Sequence, residues 1–374
     1  MSRWDVAVIG AGAAGMMAAA SAGQAGARVL LIEHAVRLAE KIRISGGGRC
    51  NFTNLEAHRP ERYVGEQPRF ARAALSAYPP RDFLALLARH RVTWHEKHRG
   101  QLFCDEGSER IIEVLRAECE DARVAWRMPC AVRGVASAAG GYQIDTEQGP
   151  IAARRVIVAA GGLSIPKIGA SDLGHRIARH FGLRIVEPRP ALVPLTFDAG
   201  AWAPFAALAG IALEAAVRRG AARPLEDALS THRGLSGPAI LQISSYWNPG
   251  ETITVDLAPA WPGASLAEAL LDRKRTSRQQ IATVLADWLP RRLAEGWLVV
   301  QGLAAQARVA ELSDKQLRAL AASLKRWELV PSGTEGYRKA EVTRGGVATA
   351  ELDAKTLEAR RAPGLHFVGE VVDI

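Results

Sequence analysis

The chain has 374 residues, of which 48% are hydrophobic and 23% charged, so it is long enough for two or three domains with large cores. No apolar run approaches the roughly 18–20 residues that span a membrane, and no signal peptide precedes the first apolar strand, so we expect a cytoplasmic protein without membrane association. The four cysteines form no CxxC pair, and no spacing of His, Asp or Glu is typical of a metal site. We therefore expect reduced thiols and no bound metal.

The net charge of +9 is compatible with a nucleic-acid partner, but the basic residues do not favour one. Arginine supplies 40 of the 48 basic residues and is spread along the chain, which also fits a coding bias. The tight basic run that begins at Arg273 and ends at Arg278 fits a solvated helix start. No basic strand with interleaved aromatic residues indicates a base-stacking surface, so we expect a small-molecule substrate rather than nucleic acid.

The amino-terminal region predicts a dinucleotide-binding β-α-β unit. An apolar strand at 6–9, an Ala- and Met-rich helix at 13–25 and a second strand at 28–32 follow one another. Between the first two lies the glycine motif Gly10-Ala11-Gly12-Ala13-Ala14-Gly15. Its first glycine permits a tight turn, its second lets a pyrophosphate approach, and its third lets the helix pack closely. Glu33 stands where a ribose-binding acid belongs, so NAD and FAD both fit.

A polar, Gly-rich stretch at 34–68 is too long for a plain connector, so we predict a functional loop without regular structure. Its segment Ser45–Gly48 can present successive backbone N–H groups to an anion or to a planar ring. Arg49 adds a fixed positive charge, and the polar side chains up to Asn54 can bond ring carbonyls and nitrogens. Cys50 is either a reactive thiol in this loop or a buried structural cysteine, and we favour the buried alternative because no base is evident beside it.

The rest of the first region mixes helices and strands. Helices are predicted at 69–90, with a break at Tyr78-Pro79-Pro80, and at 108–120. Strands are predicted at 92–95, 101–104, 124–128, 131–135, 141–146 and 150–153, the last four antiparallel. A second buried parallel strand from Val156 ends in the small residues Ala159-Ala160-Gly161-Gly162, which permit close approach of a cofactor. A helix to about Phe181 then starts at an N-cap, Ser171 or Asp172.

After Pro188 and Pro190 the pattern changes to β-rich, then helical, then extended, and a last apolar strand ends at Gly369-Glu370. The fold class is therefore α/β: a discontinuous FAD/NAD(P)-binding Rossmann-like domain carries an inserted β-barrel-like domain, which itself carries a small helical insertion. A helix cap is predicted at Ser313-Asp314. The predicted domains are 1–190 with 344–374, 191–261 with 323–343, and 262–322.

Several motifs occur together in one order along the whole chain. They are the amino-terminal glycine motif, Ser45 to Asn54, Ala159 to Gly162, Thr231-His232-Arg233-Gly234-Leu235-Ser236-Gly237-Pro238, Thr343-Arg344-Gly345-Gly346-Val347 and Gly369-Glu370-Val371-Val372-Asp373. This set resembles a bacterial family of FAD-containing flavoproteins that includes aminoacetone oxidase and a flavoprotein associated with bile-acid dehydroxylation. The resemblance implies FAD as the cofactor and narrows the choice left open by the glycine motif.

The resemblance also implies site residues. Those implied to contact FAD are Gly10, Gly12, Ala14, Gly15, Glu33, Lys41, Ser45, Gly46, Gly47, Gly48, Arg49, Val132, Ala160, Gly161, Gly162, Gly369, Glu370 and Asp373. Members of the family usually continue past the final Val-Asp with a helix that faces the flavin, whereas this chain ends at Ile374. A helix N-terminus there would stabilise negative charge on the flavin, so we expect weaker FAD binding than in a longer relative.

The predicted function is that of a FAD-dependent oxidoreductase, either an oxidase or an NAD(P)H-dependent reductase, in which a hydride passes between the flavin and a small organic substrate. His232 and Ser236 are candidates for the substrate face of the flavin, and a plain turn between strands is the alternative. No second glycine motif indicates a separate nicotinamide domain, so NAD(P)H would bind transiently. Two further hypotheses remain: a flavin-dependent RNA-modifying protein, motivated by the charge, and a shortened flavin-binding protein without turnover. The oligomeric state is open.

Overall fold

The computed structural model describes residues 3–374, apart from the side chain of Glu61. The described chain divides into two compact units, one formed by the residues up to Arg189 together with Val342–Ile374, and one formed by Pro190–Glu341. In the described part, no helix combines the length and apolar character needed to cross a bilayer.

The first unit contains most of the parallel strands. Its elements are β1 (Trp4–Ile9), α1 (Ala13–Gln24), β2 (Val29–Ile32), α2 (Glu40–Ile44), β3 (Asn51–Asn54), α3 (Arg72–Ala77), α4 (Pro80–Arg89), β4 (Trp94–His98), β5 (Gln101–Cys104), α5 (Ser108–Asp121), β6 (Ala125–Arg127), β7 (Val132–Ala138), β8 (Gly141–Thr146), β9 (Ile151–Val158), α6 (Leu173–His180) and β10 (Ile185–Ala191). Short 3-10 turns lie at Ser45–Gly48, Pro60–Arg62 and Pro166–Ile168.

The second unit combines an antiparallel sheet with helices. Its elements are β11 (Leu195–Thr196), α7 (Ala199–Trp202), β12 (Ala212–Arg218), β13 (Leu225–Ser230), β14 (Gly234–Ser236), α8 (Pro238–Ser244), β15 (Ile253–Asp256), α9 (Ser265–Thr276), α10 (Ile281–Ala286), α11 (Arg291–Val300), α12 (Asp314–Lys325), β16 (Trp327–Leu329) and β17 (Gly333–Thr334). The chain then returns to the first unit with β18 (Val342–Val347) and β19 (Leu365–Phe367). Further 3-10 turns lie at Ala203–Leu208, Val309–Glu311, Thr349–Glu351 and Gly369–Val371.

The main sheet of the first unit runs in the order β6-β2-β1-β9-β8-β7, and β19 also pairs with β9. Strands β6, β2, β1, β9 and β19 pair with one another in parallel. Successive residues of β1 point to opposite faces of this sheet. Val8 packs with Met16 of α1 on one face, whereas Ile9 packs in the core with Phe367 on the other. Burying an aliphatic side chain of this size contributes roughly 1.5–3 kcal/mol, so the two-sided core explains the continuous apolar runs.

Three predictions about this unit need correction. The strand predicted at 124–128 is β6 and pairs in parallel with β2, because helix α5 precedes it and a crossover returns the chain in the same direction. The strands predicted at 150–153 and from Val156 are one strand, β9, which pairs with antiparallel β8 at its start and with parallel β19 at its end. The loop predicted at 34–68 contains α2 and β3, since β3 is stabilised by pairing with β5 about fifty residues later.

The second unit has one seven-stranded antiparallel sheet in the order β16-β15-β12-β13-β14-β11-β17. Helices α9 to α12 share one hydrophobic core with it, in which Leu320 of α12 and Ile253 of β15 are fully buried. The predicted cap is confirmed: the Ser313 hydroxyl accepts a hydrogen bond from the Gln316 amide at 3.2 Å, and the Gln316 side chain accepts one from the Ser313 amide at 2.9 Å. The predicted α/β class with an additional antiparallel sheet is therefore the observed architecture.

Candidate functional site

A cleft of about 740 Å³ opens in the first unit where the carboxyl ends of β1, β2, β9 and β19 meet. Ligands of open parallel sheets bind at this end of the strands, and the volume is that of an ordinary small-molecule site. The lining residues are Gly12, Ala13, Ala14, Met17, Glu33, His34, Ala35, Arg37, Ala39, Glu40, Lys41, Ile42, Ser45, Cys50, Asn51, Phe52, Thr53, Ala57, Tyr63, Leu75, Tyr78, Pro79, Pro80, Phe83, Ile111, Leu115, Ala159, Gly161, Gly162, Ser164, Ile168, Gly169, Ala170, Val368, Gly369 and Glu370.

The three glycines of the amino-terminal motif differ in their surroundings. A Cβ atom on Gly15 would lie 1.8 Å from the Gly10 carbonyl oxygen, and one on Gly10 would lie 2.5 Å from the carbonyl oxygen of Ala159. Gly15 therefore lets α1 pack against the turn at Gly10, and Gly10 lets that turn approach the end of β9. A Cβ atom on Gly12 would meet no atom within 4 Å, and Gly12 lines the cleft. Its open position beside the N-terminus of α1 leaves room for a phosphate at the unpaired amides of the first turn.

The Glu33 carboxylate lies at the end of β2 and is only 8% exposed. It accepts hydrogen bonds from the Ala11 amide at 2.7 Å and the Ala35 amide at 2.8 Å, and one oxygen lies 2.8 Å from Nδ1 of His34. Burial raises the pKa of Glu33, but the hydrogen bonds from His34, Ala35 and Ala11 outweigh it and hold the pKa below the ordinary value. The carboxylate is therefore charged at neutral pH and keeps capacity to accept a further hydrogen bond from a hydroxyl group.

Lys41 and Glu370 form an ion pair in the lining of the cleft. The Lys41 ammonium also donates to the Ser164 hydroxyl at 2.7 Å. Glu370 is held from the other side, since its Oε1 accepts from the Thr343 amide at 2.7 Å and from the Ser164 hydroxyl at 3.2 Å. This network joins α2, the segment after β9 and the segment after β19, so it fixes three distant parts of the chain around one wall of the site.

The turn Ser45–Gly48 stands at the edge of the cleft, where only Ser45 is among the lining residues. Its glycines adopt positive φ, and a Cβ atom on Gly46 would lie 2.8 Å from the Phe103 ring. Burial raises the pKa of the Cys50 thiol, with a hydrogen bond from Ser45 acting in the other direction. The thiol is thus protonated at neutral pH, which supports the structural rather than the reactive interpretation of Cys50.

The residues implied to contact FAD divide by position. Those that line the cleft are Gly12, Ala14, Glu33, Lys41, Ser45, Gly161, Gly162, Gly369 and Glu370. Those that lie outside the lining are Gly10, Gly15, Gly46, Gly47, Gly48, Arg49, Val132, Ala160 and Asp373. Val132 begins strand β7, and Ala160 packs on the core behind the sheet. Asp373 is 2% exposed and accepts a hydrogen bond from the Glu66 amide at 2.9 Å, and burial raises the pKa of its carboxyl.

The two candidate catalytic residues lie in the second unit. His232 is exposed in the turn between β13 and β14, and Ser236 is the last residue of β14, paired with Leu229. The turn is closed by Thr231, whose amide donates to the Gly234 carbonyl at 2.8 Å and whose hydroxyl donates to the same carbonyl at 3.0 Å. The segment is therefore a tight turn between strands, and a role in binding substrate stays a prediction.

One wall of the cleft was not predicted from the sequence. It is formed by apolar and aromatic residues of α3, α4 and α5, namely Leu75, Tyr78, Pro79, Pro80, Phe83, Ile111 and Leu115. The Tyr78-Pro79-Pro80 break was the one available signal, since a rigid kink between two helices brings a loop to a surface. His34 was also missed, although it directly follows the predicted ribose-binding acid. Among the described residues, no cluster of three or more His, Cys, Asp or Glu side chains is able to hold a metal.

The site fits a dinucleotide such as FAD on three observations. Gly12 leaves open space at the N-terminus of α1, which carries no acidic residue in its first turn to compete with a phosphate. Glu33 is ionised beside that space and retains an acceptor site for a ribose hydroxyl. Apolar and aromatic side chains form another part of the lining, where a flat ring system can be enclosed. Gly12, Glu33, Lys41 and Gly161 are the residues we expect to hold the cofactor.

Comparison with known proteins agrees with this geometry. Residues 4–374 match the family model described as "HI0933-like protein Rossmann domain". Ribosomal RNA dihydrouridine synthase of Escherichia coli (strain K12) is 43% identical over 377 residues, which cover 100% of this chain and 93% of the relative. The protein of the same name from Haemophilus influenzae is 39% identical, covering 98% of this chain and 92% of the relative. The 3-dehydro-bile acid delta(4,6)-reductase of Clostridium scindens is 29% identical, covering 99% and 93%.

The bile-acid reductase agrees with that part of the expected resemblance, whereas the two relatives with higher identity carry the name of an RNA-modifying enzyme. The family and the arrangement of strands, glycines and acid support a flavin cofactor and an enzyme of the oxidoreductase class. The chain therefore belongs to the HI0933-like Rossmann family and has the fold of a flavin-binding oxidoreductase.

Proposed function

We propose that this protein is a FAD-dependent oxidoreductase that reduces uridine to dihydrouridine in ribosomal RNA. The observation that carries the proposal is the 43% identity, over the whole chain, with a relative named for that reaction. The proposal replaces the expected small-molecule substrate with the RNA hypothesis that the net charge of +9 motivated. A bile-acid-like small molecule is the second candidate, supported by the more distant reductase at 29% identity.

The reaction saturates the C5–C6 double bond of uracil, so it needs a hydride and a proton, with NAD(P)H as the proposed source of reducing equivalents. FAD, when bound, supplies a carrier that takes up a hydride from a nicotinamide and gives it to an electron-poor double bond. The chain itself supplies binding and orientation. Gly12 and the first turn of α1 would position the diphosphate, and Glu33 would accept a hydrogen bond from a ribose hydroxyl.

The Lys41–Glu370–Ser164 network supports this arrangement electrostatically. Lys41 brings a cation to the wall of a cleft that would receive two phosphates, while Glu370 and Ser164 hold its ammonium in place. Tyr78 and Phe83 add aromatic surface to the lining, which would shield a bound ring system from water. Because Cys50 holds its proton at neutral pH, its thiol is a neutral hydrogen-bond donor in the lining rather than a nucleophile.

The decisive experiment combines the purified, FAD-loaded protein with NADH or NADPH and ribosomal RNA transcribed in vitro. We expect dihydrouridine to form at a discrete position, detected by mass spectrometry of nuclease fragments, and to require both the nicotinamide and the flavin. Anaerobic flavin bleaching by NAD(P)H without any dihydrouridine in the RNA would remove the proposal. Reduction of an unsaturated steroid in the same assay, with unmodified RNA, would favour the second candidate.

A further inference from the structure

The net positive charge of the chain is concentrated in one segment. Residues 34–104 contain 13 arginines and lysines against 6 aspartates and glutamates, so this segment holds +7 of the net charge of +9. The arginines are spread along the sequence, as expected, but the carboxylates that balance them are not. Glu109 and Glu118 of α5 pair with Arg43 and Arg89 of this segment, so the charge available to a polyanionic partner depends on the pairing of each cation.

Within the segment, β4 is the outer strand of a three-stranded antiparallel sheet with the order β3-β5-β4. Every residue of β4 is exposed, and Trp94, its first residue, is 40% exposed. The strand reads Trp94-His95-Glu96-Lys97-His98, and Arg91 and Arg99 flank it. Three cations, Arg91, Lys97 and Arg99, therefore lie near an exposed aromatic residue at one edge of this sheet, although β4 itself holds one lysine and one glutamate. The strand predicted at 92–95 ended before Lys97, so this grouping was not predicted from the sequence.

Among the charged groups of β4, the His95 imidazole lies 2.6 Å from the Asp105 carboxylate. Glu96 accepts a hydrogen bond from the Gly100 amide at 2.7 Å. The Lys97 ammonium lies 5.2 Å from the centre of the Phe103 ring, and in the described part of the chain neither Lys97 nor Arg91 forms an ion pair. A cation that keeps its charge available on an exposed strand suits a phosphate oxygen.

The basic run that the sequence itself indicated is different. On α9, Arg273 pairs with Asp287 at 2.8 Å and Lys274 pairs with Asp314 at 2.6 Å. Arg275 lies 3.9 Å from Asp272. Each of these ion pairs contributes little to stability, but the three carboxylates reduce the positive potential of the run, of which Arg278 is exposed. Comparison of the two clusters thus favours β4 over α9 as the surface for a polyanion.

The sheet also connects this surface with the cofactor cleft. Asn51, Phe52 and Thr53 of β3 line the cleft, and β4 lies two strands away in the same sheet. Neighbouring strands are about 4.8 Å apart, so β4 runs about 10 Å from β3. An extended nucleic-acid strand held along β4 could thus reach the cleft with an adjacent nucleotide.

We propose that β4, together with Arg91, is a docking surface for an unpaired segment of RNA, in which Trp94 stacks on a base and Arg91 and Lys97 contact phosphates. The inference rests on the proposed function, since it assigns the surface that would hold the RNA substrate. Aromatic side chains stack only on bases that are not enclosed in a duplex, so the partner is single-stranded. A protein strand is a poorer fit, because the bulge between Glu96 and His98 and the charges of β4 oppose pairing at this edge.

The test measures binding of the FAD-loaded chain to in vitro transcribed ribosomal RNA over a range of salt concentrations. The charge variant is Arg91→Glu with Lys97→Glu, and the matched control is Arg273→Glu with Arg275→Glu, which changes the net charge by the same amount. We expect the β4 variant to bind roughly tenfold or more weakly, with a slope of log affinity against log salt that falls by about one to two. The RNA affinity of the α9 control should stay within about twofold of that of the original chain.

A second pair of variants tests stacking. Trp94→Ala should lower RNA affinity by roughly 5- to 100-fold, the range of one base–aromatic stack, and Trp94→Phe should restore much of it. The visible flavin spectrum and the rate of flavin reduction by NAD(P)H should not change in any of these variants, which separates loss of docking from loss of folding.

Each outcome has a defined meaning. This inference is overturned if the β4 variants keep the RNA affinity and the salt slope of the original chain, or if the α9 control loses as much RNA affinity as they do. In either case, dihydrouridine formation by the original chain leaves the proposed function standing. RNA binding that depends on β4, without dihydrouridine formation, overturns the proposed function and supports the docking surface. Failure of the unchanged chain to bind ribosomal RNA overturns both. Retention on anionic lipid vesicles that the β4 variants abolish, with RNA binding intact, assigns the surface to membranes instead.

Discussion

The ammonium group of Lys41 contacts the carboxylate of Glu370, which lies 329 positions further along the chain. This pair links α2 to the segment after β19 and stands in the wall of the cleft proposed to hold FAD. The Glu370 side chain is 22% exposed, so removal of its partner would leave a mostly buried charge without a cation.

Substitution Lys41→Gln should therefore weaken both the fold and the cofactor site. We expect the free energy of unfolding to fall by about 1–2 kcal/mol, and the dissociation constant of FAD to rise roughly tenfold, because a charged hydrogen-bond donor is lost beside the expected diphosphate. Urea unfolding and quenching of flavin fluorescence measure the two effects. Lys339→Gln, at an exposed lysine of the second unit, is the control. Unchanged FAD affinity in Lys41→Gln would show that Lys41 does not serve the cofactor.

The glycine motif offers a contrast between folding and binding. Gly12→Ala places a methyl group in open space, so its stability should stay within about 0.5 kcal/mol, while FAD affinity should fall by roughly tenfold or more because the methyl group occupies the path of the phosphates. Thermal unfolding of the apoprotein and FAD titration separate these effects. An unchanged FAD affinity in Gly12→Ala would contradict the placement of the diphosphate beside Gly12.

Gly15→Ala is the matched variant in the same motif. Its methyl group would lie 1.8 Å from the Gly10 carbonyl oxygen, so α1 must move away from the strand. We expect a loss of roughly 3 kcal/mol in the free energy of unfolding, and loss of FAD only as a consequence of unfolding. Denaturant titration of the apoprotein checks this, and stability equal to that of Gly12→Ala would contradict the close packing of α1.

The contact between His34 and Glu33 predicts a pH-dependent stability. The hydrogen bond to Glu33, opposed by partial burial, raises the pKa of His34 above 6.5 in the folded protein. The contribution of protonated His34 to stability is fully present below the pKa that His34 has in the unfolded chain. It is lost as the pH rises through the pKa of His34 in the folded protein. At acid pH the pair is lost when Glu33 is protonated, and the lowered pKa of Glu33 places this loss below pH 4.5.

Removal of the imidazole by His34→Gln should therefore lower the free energy of unfolding near pH 5.5–6.5. The loss should be no more than about 1 kcal/mol, since His34 is half exposed. The difference in stability between variant and original chain should disappear by about pH 8.5. Thermal unfolding across this pH range measures the effect. His180→Gln is the control, because His180 packs against Phe181 and contacts no carboxylate in the described structure. A deficit that grows as the pH rises would contradict the assigned sign.

His232 provides a test of the second unit. Its side chain is exposed, so His232→Ala should leave stability within about 0.5 kcal/mol of the original. If the residue serves the substrate, dihydrouridine formation should fall by roughly a hundredfold while FAD affinity and flavin reduction by NAD(P)H stay unchanged. Steady-state kinetics with ribosomal RNA check this. Full activity in His232→Ala would leave only the tight turn closed by Thr231 as the role of this segment.

Much of the first unit could be predicted because its signals are local. Strand β1, the glycine turn, helix α1 and strand β2 follow one another within about thirty residues, and buried parallel strands need continuous apolar runs. The same logic located Glu33 at the end of β2 and the small residues after β9. The errors lie where pairing is distant: β6 turned out parallel, and β3 forms only because β5 lies beside it.

The sequence by itself therefore determined the fold class, the dinucleotide motif and the identity of the residues at the strand ends, since these depend on the order of neighbouring residues. Only the tertiary structure decided which of them face the cleft. It showed that Gly10 and Gly15 serve packing whereas Gly12 faces open space, and that Lys41 meets Glu370. It also decided that Arg273 and Lys274 on α9 are paired whereas β4 is exposed, because charge neutralisation and burial depend on residues far apart in the chain.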